Sequence, residues 1–156
     1  MLLTQNLLDL IGRPNFDLQV KHTLKLVSLD PEKVKLKRGD YQIGLPAYDY
    51  GIDVIFTDPR EFGLSKNFPE GTLLCSAIFF FNEGIQQHKK YSHELPKKLN
   101  FTLGRSHVRE LLGMPELINQ VFPIDRWSWD KLRLFVTYAD DYESIVEVCV
   151  DMPEIA

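Results

Sequence analysis

Alternation of apolar and polar positions is clearest near the end of the chain. Leu132, Leu134 and Val136 fall on one side of an extended segment, and Arg133, Phe135 and Thr137 on the other. A period of two predicts a strand. The turn Ala139-Asp140-Asp141-Tyr142 and the apolar run 144–150 complete a hairpin. Ile52, Val54 and Phe56 alternate with Asp53 and Ile55 in the same way, and Asp58-Pro59 ends that strand. The run 73–81 is apolar at every step, which fits a central strand covered on both faces or one with an interaction face. Residues 34–37 alternate as a further strand, which resumes at 41–43 and is broken by Gly44-Leu45-Pro46. Part of 16–29 is expected to be strand, residues 59–72 a connection, and 85–95 another strand running into an irregular segment. Helical spacing is confined to two short segments. The first is 4–11, with Thr4 as N-cap and Gly12 and Pro14 as the stop; the second is 106–112, with Ser106 as N-cap and Gly113 and Pro115 as the stop. Helices of about two turns must be held by packing rather than by propensity.

The two helical segments share a pattern. Leu7-Leu8-Asp9-Leu10-Ile11-Gly12-Arg13-Pro14 and Val108-Arg109-Glu110-Leu111-Leu112-Gly113-Met114-Pro115 place an acid, apolar pairs, Gly and Pro in the same slots, and each precedes strand-like runs. The reading is an α+β protein of two related units, residues 1–90 and 91–156, each with short helices on antiparallel sheet and the two packed as one body. A sheet with helices on one side is a surface-building arrangement, although fold alone does not fix function.

Composition narrows the function classes. With 18 basic and 22 acidic side chains the net charge is −4, which argues against nucleic acid as a main partner, since phosphate neutralisation needs positive charge. No apolar stretch is long enough to span a bilayer, and no basic, apolar leader pattern opens the chain, so a reduced cytoplasmic setting and no membrane partner are expected. Cys75 and Cys149 both lie in apolar strand-like runs and read as buried thiols; a disulfide joining the units stays open.

Candidate chemistry is sparse. His88 and His93 are five apart, a spacing that aligns on neither a helix nor a strand face, and no Cys-x-x-Cys or His-Glu-x-x-His pattern occurs. No metal or cofactor is expected, and the four histidines read as solvated or capping groups. There is no Gly-x-Ser-x-Gly elbow and no glycine-rich phosphate loop, so the chain is not expected to be an enzyme. The aromatic residues are more informative. Trp127 and Trp129 flank Ser128, and Tyr48 and Tyr50 flank Asp49, so each pair shares a face on an extended chain. If helices cover one side of the sheet, the second side carries Asp53, Ile55, Arg133, Phe135 and Glu147, a mixture of aromatic, arginine and acid typical of interface hot spots. The alternative is that loops or another layer of strands cover this face.

The segment Tyr91-Ser92-His93-Glu94-Leu95-Pro96-Lys97-Lys98-Leu99-Asn100-Phe101, followed by the Ser106–Pro115 helix end and by Asp125-Arg126-Trp127, resembles a pattern in immunity proteins of bacterial polymorphic and contact-dependent toxin systems. In that pattern glycine stands at the positions of His93 and Lys98. The Leu-Gly-x-Pro helix end also resembles the fold of the β-lactamase inhibitor protein, in which short helices pack on antiparallel sheet in tandem. The resemblance implies a non-catalytic chain that binds a cognate toxin domain, with a nuclease as one candidate, by stoichiometric occlusion on an open sheet. The binding residues expected are Tyr48, Tyr50, Asp53, Trp127, Trp129, Arg133, Phe135, Asp140, Asp141, Tyr142, Glu143 and Glu147. No homo-oligomer is expected. Rival readings are a small-molecule or peptide-binding module on the same face, a hydrolase using a carboxylate pair, and a subunit of a larger complex.

Overall fold

The computed structural model describes residues 2–119 and 121–153. Among them are three α-helices, α1 (Leu2–Leu8), α2 (Leu18–Leu26) and α3 (Arg105–Leu112). The seven strands are β1 (Gln42–Ala47), β2 (Ile52–Thr57), β3 (Leu74–Phe81), β4 (Leu117–Ile118), β5 (Ile124–Trp129), β6 (Leu132–Tyr138) and β7 (Ile145–Asp151). All seven join one antiparallel sheet of order β1-β2-β3-β7-β6-β5-β4, so the fold is α+β. The sheet runs unbroken across residue 90, because β3 pairs with β7. Two meanders, β1-β2-β3 and β5-β6-β7, therefore meet at their third strands.

The core lies on one side of this sheet. Val54, Ile78, Val148 and Val136 from the central strands pack with Leu7, Leu10, Val20, Leu24 and Val108 from the helices and with Tyr91, Leu95, Leu99 and Phe101 from the segment before α3. Leu7 and Val108 hold the same slot in the two segments that end Gly-x-Pro and are both fully buried. Gly12 and Gly113 end those segments with φ of +95° and +85°, a region where a Cβ is strained. After these glycines the segments diverge. Arg13 and Pro14 pair with the start of β3, and α2 follows. Past Pro115 the chain instead forms β4 on the outer edge of β5, with no second helix among the described residues.

Several local expectations are corrected. The stretch 16–29 holds α2 and no strand: Asp17 Oδ1 accepts from the Gln19 and Val20 amides at 2.8 and 3.3 Å, and Val20 and Leu24 share a buried stripe at helical spacing. Residues 34–37 are irregular, and 85–95 contain no strand. Gly44-Leu45-Pro46 does not break β1, because an edge strand tolerates a missing amide donor on its outer side. Thr4 is no N-cap; it lies inside α1, buried, and its hydroxyl bonds the Tyr91 hydroxyl and the Glu94 carbonyl. Burial pushes the Tyr91 phenol up to about 12, opposed by that Thr4 bond. The N-cap of α3 is Gly104, and Ser106 lies within the helix. Lys98, where the resembled pattern has glycine, has a φ of +58°.

Candidate functional site

The side of the sheet away from the helices is organised by strand register. Pairing aligns Pro46, Asp53, Phe79, Cys149, Phe135 and Arg126 in one row across six strands. On one side of it runs Phe81, Glu147 and Thr137, and on the other Ile55, Ala77, Asp151 and Arg133. Phe79, Phe135, Glu147, Asp53 and Arg133 are all partly exposed, unlike their neighbours Ile78, Val136 and Val148, which are fully buried. A hollow of about 310 Å³ opens here, lined by Ile55, Phe79, Phe81, Cys149, Arg133 and Asp151 among others.

Each charged group of this face has a definite setting. Arg133 clasps Asp151 with both ends of its guanidinium, at 2.9 and 2.8 Å, and lies 5.2 Å from the centre of the Phe135 ring. Asp53 Oδ1 sits 2.7 Å from His88 Nε2. The Ile85 carbonyl can only accept, so His88 Nδ1 donates to it at 3.0 Å, and Nε2 is the nitrogen that faces Asp53. This corrects the expectation of solvated histidines for His88, whose side chain is 1% exposed; His22, His93 and His107 are exposed. The His88 ring stacks on Phe81 at 4.1 Å and tilts against Tyr48 at 4.9 Å. It is held there by a loop in which Gln86 and Gln87 take left-handed backbone angles, with φ of +48° and +69°. Gly51 anchors that loop: a Cβ on it would fall 2.3 Å from the Lys89 carbonyl and 2.5 Å from the Tyr91 nitrogen. Burial pushes the Glu147 carboxyl above the usual range, and the Asp53 charge adds to the shift while His88 opposes it.

The expected binding residues separate into groups. Asp53, Arg133, Phe135 and Glu147 come together on the face just described. Trp127 and Trp129 share a side as expected, but it is the covered one, which corrects their role as exposed contact area. Trp127 is 7% exposed and donates its indole N–H to the Gly113 carbonyl at 3.1 Å, and Lys97 lies over the Trp129 ring at 4.5 Å. Tyr48 and Tyr50 do not share a face, because residues 48–51 form the β1–β2 turn: Tyr48 leans on His88 while Tyr50 packs against the core. Asp140, Asp141, Tyr142 and Glu143 stand exposed in the β6–β7 turn at one end of the sheet. There Asp141 accepts from the Glu143 amide at 2.9 Å, and Arg105 lies 3.9 Å from the Tyr142 ring centre.

The motif Asp125-Arg126-Trp127 serves the fold. Asp125 is 1% exposed and receives two bonds from Arg109 of α3, at 2.9 and 2.8 Å, and one from the Tyr138 hydroxyl at 3.0 Å. With Trp127 on Gly113, the C-terminal half of α3 is fastened to the sheet at two points. Burial, then the Asp125 charge, pushes the Tyr138 phenol well up. Cys75 belongs to the core while Cys149 lines the hollow; both are free thiols, and burial raises both well above the usual range.

Sequence reasoning missed Phe79, Cys149, Asp151 and His88. The first three could have been found from the period of two along β3 and β7; the fourth could not, because its partner is 35 residues away. Among the described residues no group of three or more metal-ligating side chains converges, and no helix is long and apolar enough to cross a membrane. A larger hollow, about 660 Å³, lies elsewhere, between residues 34–36 and 58–73, where Asp58 and Arg60 pair with each other at 2.8 Å. No family model, curated protein or solved structure matches this chain.

Proposed function

We propose that this chain is an immunity protein that binds a cognate bacterial toxin domain in the cytoplasm and neutralises it by stoichiometric occlusion. The observation that carries the reading is the asymmetry of the sheet. One face packs against helices, and the other presents partly exposed Phe79 and Phe135 among Asp53, Glu147 and the Arg133–Asp151 pair. Aromatic side chains supply contact area at low entropic cost, and a few fixed charges set register. The hollow at about 310 Å³ sits at the small end of ligand pockets, which favours a protruding side chain of a protein over a small metabolite. The net charge of −4 suits a basic partner such as the phosphate-binding surface of a nuclease. The test is co-expression with the C-terminal domain of the neighbouring upstream gene product as candidate toxin. Rescue of growth with a one-to-one complex supports the reading; toxicity unrelieved by the chain, with no complex, overturns it.

A further inference from the structure

We propose that the β4 edge of the sheet is a self-association surface, on which a second copy of this chain pairs β4 with β4 across a two-fold axis at Ile118. The inference is independent of the toxin reading, and it departs from the expectation of a chain without a homo-oligomer.

The observation is an apolar patch around that edge. Leu111, Met114, Leu117, Ile118, Val121 and Phe122 are all exposed, from 41% at Ile118 to 81% at Val121. A single exposed apolar residue is ordinary, but a cluster is not. At these exposures the six present on the order of 600 Å², the top of what the largest patch on a monomer shows. Two such patches make roughly 1,200 Å², the size of a small specific interface. Hydrogen bonds fix the display. Asn119 Oδ1 accepts from the Val121 and Phe122 amides at 2.8 and 2.9 Å, and the Asn119 amide donates to the Ile124 carbonyl at 3.2 Å.

The register says what can cover the patch. Leu117 stands opposite Arg126 and Ile118 opposite Asp125. Opposed residues share a face, so Leu117 projects on the open side and Ile118 on the helix side. Arg109 of α3 bonds Asp125, which brings the exposed end of that helix, with Leu111, beside Ile118. A helix or a lipid surface laid on one face would leave the other bare, whereas a strand that continues the sheet covers both. The Asn119 amide points at β5, so in an antiparallel ladder the Ile118 amide and carbonyl point outward. Two copies related by a two-fold axis at Ile118 exchange both of these bonds. Each Leu117 then meets Asn119 of the other copy. The two Glu116 carboxylates stand four register positions apart, roughly 13 Å, beyond the screening length.

The opposite edge of the sheet is guarded. The Asp58 amide donates to the Tyr41 carbonyl, so alternation turns Gln42, Gly44 and Pro46 outward in β1, and Pro46 has no amide to give. Between Pro115 and Pro123 the chain carries no proline, lysine or glycine. A bare edge of this kind accepts a strand from another chain, and a second copy brings one of the same length with the same apolar flanks.

The experiment is analytical ultracentrifugation of the whole chain from low micromolar to millimolar concentration, with exchange of the Ile118 amide hydrogen followed by nuclear magnetic resonance at both ends of the range. The expected result is monomer passing to dimer and to nothing larger, because one edge closes on itself. The Ile118 amide should exchange at least tenfold more slowly in the dimer. Ile118→Pro removes the outward amide and leaves the bonds to β5 in place; it should weaken the dimer at least tenfold. Leu117→Lys with Phe122→Lys changes only exposed side chains and should weaken it as much, with an unaltered circular dichroism spectrum. A dimer indifferent to both variants, or one whose Ile118 amide exchanges as in the monomer, would overturn the proposal. A chain that stays monomeric throughout would do the same, and loss of its toxin complex in the double lysine variant would then assign the patch to the toxin.

Discussion

The two faces of this sheet use similar side chains for opposite purposes. On the covered face, Trp127 and Asp125 come from a segment rich in aromatic and charged residues, yet every polar atom there has a partner: the indole N–H on Gly113, and the carboxylate on Arg109 and Tyr138. On the open face, Phe135 and Glu147 stand on the adjacent strands β6 and β7, partly exposed, and Glu147 has no basic partner among the described residues. What separates them is not residue type but the parity of the strand position. A buried polar group that is fully paired stabilises a fold, whereas a partly exposed acid among aromatics costs stability and offers a contact.

Substitutions should break this comparison unequally, and the largest effects belong to the covered face. Trp127→Ala leaves a cavity and an unpaired Gly113 carbonyl, and Asp125→Ala leaves Arg109 and Tyr138 without their acceptor; each should cost about 3–5 kcal/mol in chemical denaturation. Any loss of binding in these two variants should follow the loss of folded protein. Next comes Gly51→Ala, whose Cβ would meet the backbone of Lys89 and Tyr91. It should destabilise by about 2 kcal/mol or more and release the loop that places His88 on Asp53, seen as altered His88 ring resonances.

Phe79→Ala and Phe135→Ala sharpen the comparison from the other side. Each residue is only partly buried, so unfolding free energy should fall by less than about half of the Trp127→Ala cost, while toxin affinity falls by about 2 kcal/mol, roughly thirtyfold, in calorimetry. A smaller effect is expected at the β6–β7 turn. Asp140→Lys with Asp141→Lys should slow association a few-fold and weaken its salt dependence, with little change in stability, because these carboxylates are exposed at the end of the sheet.

The smallest effect is on pH dependence. Glu147 has a folded-state pKa above its unfolded value, so the folded state binds the proton more tightly. Its charged form therefore costs stability at neutral pH, and that cost disappears as pH falls through the folded pKa. Glu147→Gln should leave the protein equally or slightly more stable at pH 7, and its advantage should vanish at acid pH. A variant less stable than the parent at pH 7 would mean that Glu147 has a stabilising partner.

The strands that were legible in the sequence are those with one buried face. β2 and β6 alternate cleanly because their outer positions are Asp53, Ile55, Arg133 and Phe135. β3 was legible as a strand but not by face, since Ala77, Phe79 and Phe81 are as apolar as Ile78 and Phe80; the face that bears Asp53 and Arg133 was thus read without its central aromatic. Helix α2 was hidden because exposed Phe16 and Leu18 mimic alternation with Val20, and the informative residue was the Asp17 cap. Tyr48 and Tyr50 were misjudged because Gly51, at a φ of +72°, closes a turn where an extended chain was assumed. The pairings that build the site, Asp53 with His88 and Arg133 with Asp151, are tertiary and have no local signature.

The central claim is that the open face, not the covered one, carries recognition. It is tested most directly by the affinity of the cognate toxin domain for the double variant Phe79→Ala/Phe135→Ala, measured at a temperature where circular dichroism shows the variant fully folded. The account predicts a loss of at least about a hundredfold, 2.7 kcal/mol, together with lost growth protection. Undiminished affinity in a folded double variant would contradict it and place recognition elsewhere on the molecule.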